Sequence, residues 1–130
     1  RAKYNTEGLS VSDFRRKQVD TFIYNLKLEL DEFNAQNNRF VQLGISPTGV
    51  YKNASSQTEA NTPIEDYVFD SNGNLIYPTG ATIGCQMHYE SYLYCDTLKW
   101  VNNEWINYIL PQTYWAQNHS LAPYEKLINW

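Results

Sequence analysis

Residues Trp105 to Trp115 read Trp-Ile-Asn-Tyr-Ile-Leu-Pro-Gln-Thr-Tyr-Trp and hold the densest chemistry in the chain. Gln112 is an amide set beside Tyr114 and Trp115, a combination suited to a sugar. The apolar face of a sugar ring stacks on an indole or phenol while its hydroxyls pair with the amide. The same two aromatics can equally cap a core, and composition alone does not separate the two roles. Ser46 and Asn53 supply a hydroxyl and an amide after another apolar run, and Asp96 supplies a carboxylate. Asp96 is a candidate for orienting a catalytic group or a sugar hydroxyl, with capping or salt-bridging its own helix as the alternative. Glu90 is a weaker candidate that reads as a solvated helix residue. His88 and His119 lack the partner spacing of a metal site, so no metal or cofactor is expected.

The elements that must position these groups follow from hydrophobic pattern. Ile106 to Leu110 is a short apolar run of the kind found in a parallel strand buried on both faces. Pro111 has no N–H and is expected to stop the ladder. Gln112, Thr113, Tyr114 and Trp115 then fall at the strand's carboxyl end, where ligands sit in parallel α/β sheets. Phe40 to Ile45 predicts a second buried parallel strand, ended by Ser46-Pro-Thr-Gly49 and preceded by the Asn37-Asn38 turn signal. Upstream, Val19, Phe22, Ile23, Leu26, Leu30 and Phe33 form one apolar stripe on a helix predicted from Asp13 to about Ala35. Ser10 or Ser12 can cap it, and residues 1 to about 9 read as loop.

Ala54 to Pro63 is a long polar segment. Tyr67 to Asp70 and Leu75 to Pro78 predict a hairpin around Ser71-Asn-Gly-Asn74, inserted in a loop over residues 64 to 88. Tyr89 to Val101 returns to helix spacing, and Pro123 opens a last helix with Tyr124, Leu127 and Ile128. The order is helix, strand, loop with hairpin, helix, strand, helix. That is an α/β arrangement, taken as one domain over residues 1 to 130.

The chain has 130 residues, begins at Arg1 without an initiator Met, and reaches Trp130 within a helical pattern, so both ends read as cut. Its net charge is −4, and its ten Lys and Arg are scattered, which argues against a nucleic-acid partner. No run approaches the roughly 18 apolar residues of a membrane span, and no signal segment is present, so any targeting signal is expected upstream of Arg1. Eleven Tyr and four Trp favour a surface made for stacking. Cys85 and Cys95 are compatible either with a disulfide or with two free buried thiols. The glycosylation-type triplets at Asn53 and Asn118 carry no inference in so Asn-rich a chain.

Four ordered blocks carry a resemblance. They are Asp13-Phe-Arg-Arg16 with Val19-Asp20, then Phe40 to Asn53, then Tyr94-Cys-Asp-Thr-Leu-Lys-Trp100, then Ile106 to Trp115. In that order they resemble the glycosyl-hydrolase-like family ten, bacterial cell-envelope proteins of which many are lipoproteins. The resemblance covers most of the chain except the hairpin insertion. It implies a fragment of a (β/α)8 barrel with about two parallel strands, three helices and an inserted β-hairpin.

The resemblance also implies hydrolysis of polysaccharide, in characterised members peptidoglycan glycan strands stripped of their peptides. Such chemistry needs a carboxylic acid and a second carboxylate roughly 5 to 9 Å apart. The family's Asp-Asp-Tyr-Phe-Tyr-Pro type strand end normally precedes the Asp-Phe-Arg-Arg helix. It has no counterpart in this sequence, so the main catalytic carboxylates are expected upstream and the fragment by itself is expected to be inactive. The family's Ser-Pro turn falls on Ser46 and Pro47, and its Trp-Arg-Asn on Tyr51, Lys52 and Asn53, where an ammonium replaces a forked guanidinium. Its Tyr-Ala-Asp falls on Tyr94, Cys95 and Asp96, and its Pro-Gln-x-Tyr-Trp is intact at Pro111, Gln112, Tyr114 and Trp115.

The expected cleft residues are Ser46, Asn53, Asp96, Gln112, Tyr114 and Trp115. The implied partner is a polysaccharide or peptidoglycan glycan. The implied location is extracytoplasmic, in the cell envelope, with lipid anchoring through an upstream signal. A non-catalytic glycan-binding or surface-attachment module is the alternative, which aromatic stacking supports equally well.

Overall fold

Helix α1, Val11–Asn37, starts where Ser10 Oγ accepts the Asp13 N–H at 3.1 Å, with Asp13 favourable at the positive end of the dipole. It ends at Asn38, whose φ of 48° is left-handed, as the Asn-Asn signal predicts. The structure, a computed structural model, describes residues 3–73, 75–90 and 92–130. The first two residues of the predicted N-terminal loop and Asn74 of the predicted hairpin turn lie outside the described residues.

The remaining elements follow in order: β1 Gly44–Ile45, α2 Gln57–Ala60, a 3-10 turn at Ile64–Asp66, β2 Val68–Phe69, β3 Leu75–Tyr77, α3 Thr97–Asn102, β4 Tyr108–Ile109 and α4 Tyr124–Asn129. Strands β1 and β4 pair in parallel, Gly44 with Tyr108 and Ile45 with Ile109. Strands β2 and β3 form the predicted antiparallel hairpin, with Gly73 at φ 80° and Asp70 Oδ1 accepting the Asn72 N–H at 2.8 Å. This is a mixed α/β chain built on a parallel strand pair. No helix among the described residues is long and apolar enough to cross a membrane.

Four expectations are corrected. Both strands are shorter and more open than a doubly covered strand: Phe40 is 80% exposed, and Val41, Tyr108 and Leu110 are exposed as well. Among the described residues the sheet has two strands, so neither gains a partner on its outer edge, and α1 covers one face of the pair only in part. The apolar stripe of α1 reaches the core through Ile23 and Val19 and is otherwise largely open. Phe22, Leu26 and Phe33 are exposed, while Arg16, Asp20 and Ile23, four and three residues apart, turn inward.

The third correction concerns Pro111, which does not stop the pairing. Leu110 N–H donates to Ile45 O at 2.8 Å and Gln112 N–H to Pro47 O at 2.9 Å, so the residue lacking an N–H is the intervening one. The fourth concerns the helix expected from Tyr89, which begins only at Thr97. Tyr94 takes a left-handed φ of 54°, and Asp96 caps the helix by accepting the Lys99 N–H at 3.2 Å. Helix α2, in turn, lies in a segment read as polar loop. Its signal is Ser56-Gln-Thr-Glu59, a capping-box spacing, and Ser56 Oγ does accept the Glu59 N–H at 3.2 Å.

The core joins α1, α3 and the segment leading into β4 through Ile23, Trp100 and Ile106, with Val19, Leu43, Ile45 and Ile109 packed around them. Trp100 is 2% exposed. Its indole N–H donates to Asp20 Oδ1 at 2.6 Å, and Lys99 Nζ reaches Asp20 Oδ2 at 2.6 Å. Around the insertion, buried Glu59 accepts from the N–H and hydroxyl of Ser55 and from the N–H of Thr79. Burial opposes the charge of Glu59, but these donors outweigh it and hold the carboxyl near 2 instead of 4.5.

Asp20→Ala leaves the Trp100 N–H buried without an acceptor and is expected to cost about 1–3 kcal/mol in denaturant unfolding of the full-length protein. Adding Trp100→Phe, which removes the orphaned donor, should cost less than the sum of the two single changes, and strict additivity would show that the pair does not interact. Because the carboxyl of Glu59 is depressed in the folded state, its stabilisation is complete above about pH 4.5 and fades as pH falls toward 2. Glu59→Gln should therefore flatten the loss of stability between those two values, measured as the denaturation midpoint against pH.

Candidate site at the strand carboxyl ends

Beyond β1 and β4 the two chains continue side by side, with Thr48 bridged to Gln112. Ser46 Oγ donates to Leu110 O at 2.9 Å, and Gln112 Nε2 donates to Ser46 O at 2.8 Å. The structure thus brings Ser46 and Gln112 into direct contact at the carboxyl end of the pair, although they are 66 residues apart. The amide oxygen of Gln112 makes no hydrogen bond among the described residues. The indole of Trp115 lies against Gly49 so closely that a Cβ there would stand 2.7 Å from the ring. Trp115 is half-buried in consequence, whereas Tyr114, one residue earlier, is 86% exposed.

Asn53 has a different position from the one expected of a cleft residue. Its Oδ1 accepts from Thr82 Oγ1 at 2.9 Å and from the Cys85 N–H at 3.2 Å, and its Nδ2 donates to Cys85 O at 2.7 Å. Three of its hydrogen-bonding positions are therefore used inside the chain, and the residue shapes the loop. Gly80 passes beneath the same stretch, where a Cβ would stand 1.9 Å from Lys52 O, so no other residue fits.

Asp96 caps α3 and in addition accepts the Tyr51 hydroxyl at 2.9 Å, both through Oδ1. Burial, then the charge of Asp96 and this bond, hold the Tyr51 phenol protonated far above its ordinary range. Tyr51 stacks on Trp130 with ring centroids 5.4 Å apart and meets His88 and Tyr89 edge-on. Tyr89 lies next to two cations, the Arg16 guanidinium 4.2 Å and the Lys52 ammonium 4.7 Å from its centroid. Glu90 lies 3.6 Å from Arg16. Of this cluster the ordered blocks contain Arg16, Tyr51, Lys52 and Asp96, while His88, Tyr89 and Trp130 lie outside them and join only through long-range contacts.

His88 is the centre of a second link. Nδ1 lies 2.7 Å from Thr48 O and Nε2 2.8 Å from Thr97 Oγ1. A carbonyl only accepts, so Nδ1 carries the proton and Nε2 accepts the Thr97 hydroxyl. Burial lowers the pKa of the ring and so favours this neutral form. His119 accepts the N–H groups of Leu121 and Ala122 through Nδ1. Among the described residues no group of three or more His, Cys, Asp or Glu could hold a metal ion. Cys85 and Cys95 are free thiols, at 3.3 Å from Leu121 O and 3.4 Å from Leu93 O.

The four ordered blocks of the sequence therefore interlock. The first meets the third through Asp20 with Lys99 and Trp100 and through Arg15 with Tyr94 at 2.6 Å. The second meets the fourth through the parallel ladder, and the third through Tyr51 and Asp96.

Comparison with known proteins agrees with this pattern. The family model described as glycosyl hydrolase-like 10 matches residues 2–130. The chain is 29% identical over 129 residues to glycosyl hydrolase DigH of Escherichia coli strain K12, covering 98% of this chain and 24% of that protein. It is 26% identical over 129 residues to glycosyl hydrolase YngK of Bacillus subtilis strain 168, covering 98% of this chain and 21% of that protein. The chain thus spans about a quarter or less of the length of these curated relatives. No solved structure matches it. With nearly its whole length matched by that family model, the chain belongs to the glycosyl hydrolase-like 10 family.

Proposed function

We propose that this chain contributes part of the glycan cleft of a glycoside hydrolase acting on cell-wall or other polysaccharide strands. The observation that carries the reading is the contact of Ser46 with Gln112 at the carboxyl ends of two parallel strands, beside Trp115 and exposed Tyr114. Gln112 presents its amide oxygen to sugar hydroxyls, and Tyr114 and Trp115 present ring faces to the apolar side of a pyranose. In this reading β1 and β4 are two neighbouring strands of a (β/α)8 barrel, whose sites gather at this end. Asp96 orients Tyr51 and the loop rather than transferring a proton, and the acid and nucleophile of hydrolysis come from the rest of the full-length protein. The fragment alone is then inactive, and the full-length protein works outside the cytoplasm, in the cell envelope, with a lipid anchor. The commitment of Asp96 to capping favours one second reading, a glycan-binding module without turnover.

The test is release of sugars from purified peptidoglycan, from amidase-stripped glycan strands and from other polysaccharides by the full-length protein. Tyr114→Ala and Gln112→Ala are each expected to lower release about three- to tenfold, and Tyr114→Ala should leave stability unchanged because the ring is exposed. Unchanged release and binding in both variants would refute the cleft assignment, and binding without release by the unaltered protein selects the second reading. For Asp96 the conservative change discriminates. Asp96→Asn, which keeps an acceptor for Tyr51 and the Lys99 N–H, should retain most activity, while Asp96→Ala should cost about 1 kcal/mol of stability. Loss of all turnover in Asp96→Asn with intact folding would instead make Asp96 a proton-transfer residue.

A further inference from the structure

Between the hairpin and α3 lies a polar cavity of about 600 Å³ that the strand-end site does not include. Asn72 and Thr79 line it from the hairpin side, Asn102 and Asn103 from the end of α3, and Lys52, Asp96 and the Asp20-paired Lys99 from the remaining walls. The hairpin is tied in place across it: Asn102 Nδ2 donates to Gly73 O at 3.1 Å, and Thr79 N–H donates to buried Glu59. Lys52 Nζ is set over the Tyr89 ring and forms no ion pair among the described residues. Asp96 uses Oδ1 for both of its bonds, and its Oδ2 accepts none among the described residues. Amides, an ammonium and a free carboxylate oxygen around one space match a ligand bearing many hydroxyls. An apolar ligand would strip water from the amides without replacing its bonds.

We propose that this cavity is a distal glycan subsite, in which the hairpin insertion holds a sugar unit beyond those bound at the strand ends. The inference rests on the glycan reading above. The geometry brings the two places near each other: Gly49 lies under Trp115 and Lys52 lines the cavity, and three residues of backbone span at most roughly 10 Å, a distance within the length of a short oligosaccharide. The hairpin is thereby a determinant of the length of glycan bound, with Lys52 and Asn72 as specificity residues.

The experiment measures binding of short and long oligosaccharides, prepared from amidase-stripped peptidoglycan glycan strands, to the full-length protein and to Asn72→Ala and Lys52→Gln. Neither side chain belongs to the packed core, and a circular dichroism melt confirms that each variant is folded. Each variant is expected to weaken the long oligosaccharide about three- to tenfold while leaving the short one unchanged. Equal weakening at both lengths, or no change at either, overturns the subsite while leaving the glycan reading standing. Failure of the unaltered protein to bind oligosaccharide of either length overturns both.

Discussion

A single carboxylate, Asp20, sets the relation between the long helix and everything that follows it. One oxygen takes the indole N–H of Trp100 and the other the ammonium of Lys99, each at 2.6 Å. An indole is a large apolar body with one donor, so burying it is favourable only where that donor is satisfied. Asp20 meets this condition and thereby lets Trp100 fill the space between Ile23 and Ile106. With α3 fixed on α1, the start of α3 is fixed too, and Asp96 stands at that start.

From Asp96 the constraint passes to the loop after β1. Tyr51 donates to Asp96, and its ring is enclosed by Trp130, His88 and Tyr89. His88 bridges Thr48 to Thr97 in one tautomer, a second tie between the same loop and the same helix. Asn53 then closes the loop on residues 82 to 85, and Gly80 lets the backbone pass at contact distance. The ends of β1 and β4 are positioned by this sequence of contacts as much as by their short ladder, and Ser46, Gln112 and Trp115 keep their places because the loop beneath them is built.

The apolar groups that the chain leaves in the open lie on the outer side of this arrangement. Phe22, Leu26 and Phe33 on α1 and Phe40 and Leu110 beside the strands are exposed, whereas the inward face of α1 carries Arg16 and Asp20. A 3.6-residue period reports that a helix has an apolar face and does not report which neighbour that face meets. Here Arg16 and Asp20 make the specific contacts within the chain, so the packed face shares Val19 and Ile23 with the stripe and leaves Phe22, Leu26 and Phe33 outside it.

Much of the local structure was legible in the residues themselves. Ser10 and Asp13, Asn37-Asn38, the Asn-Gly turn and the Pro123 start act through neighbours a few positions away, and each operates where its chemistry predicts. The strand-end grouping of Gln112, Tyr114 and Trp115 was legible for the same reason, since strand direction alone decides which end they occupy. The sequence by itself also determined the family, because four ordered blocks are a one-dimensional pattern. What only the tertiary structure decided is which polar groups remain available. Asn53 and Asp96 look alike as candidate ligands in sequence, yet Asn53 is engaged by Thr82 and Cys85, while Asp96 commits Oδ1 to a helix end and a tyrosine and keeps Oδ2 open among the described residues. The start of α3 was decided there as well. Tyr89 to Val101 has helical spacing, but hydrogen bonds from Tyr89 N–H to Tyr51 O and from Cys95 N–H to His88 O hold its first half as loop. Those partners lie across space, and a period in the sequence carries no information about them.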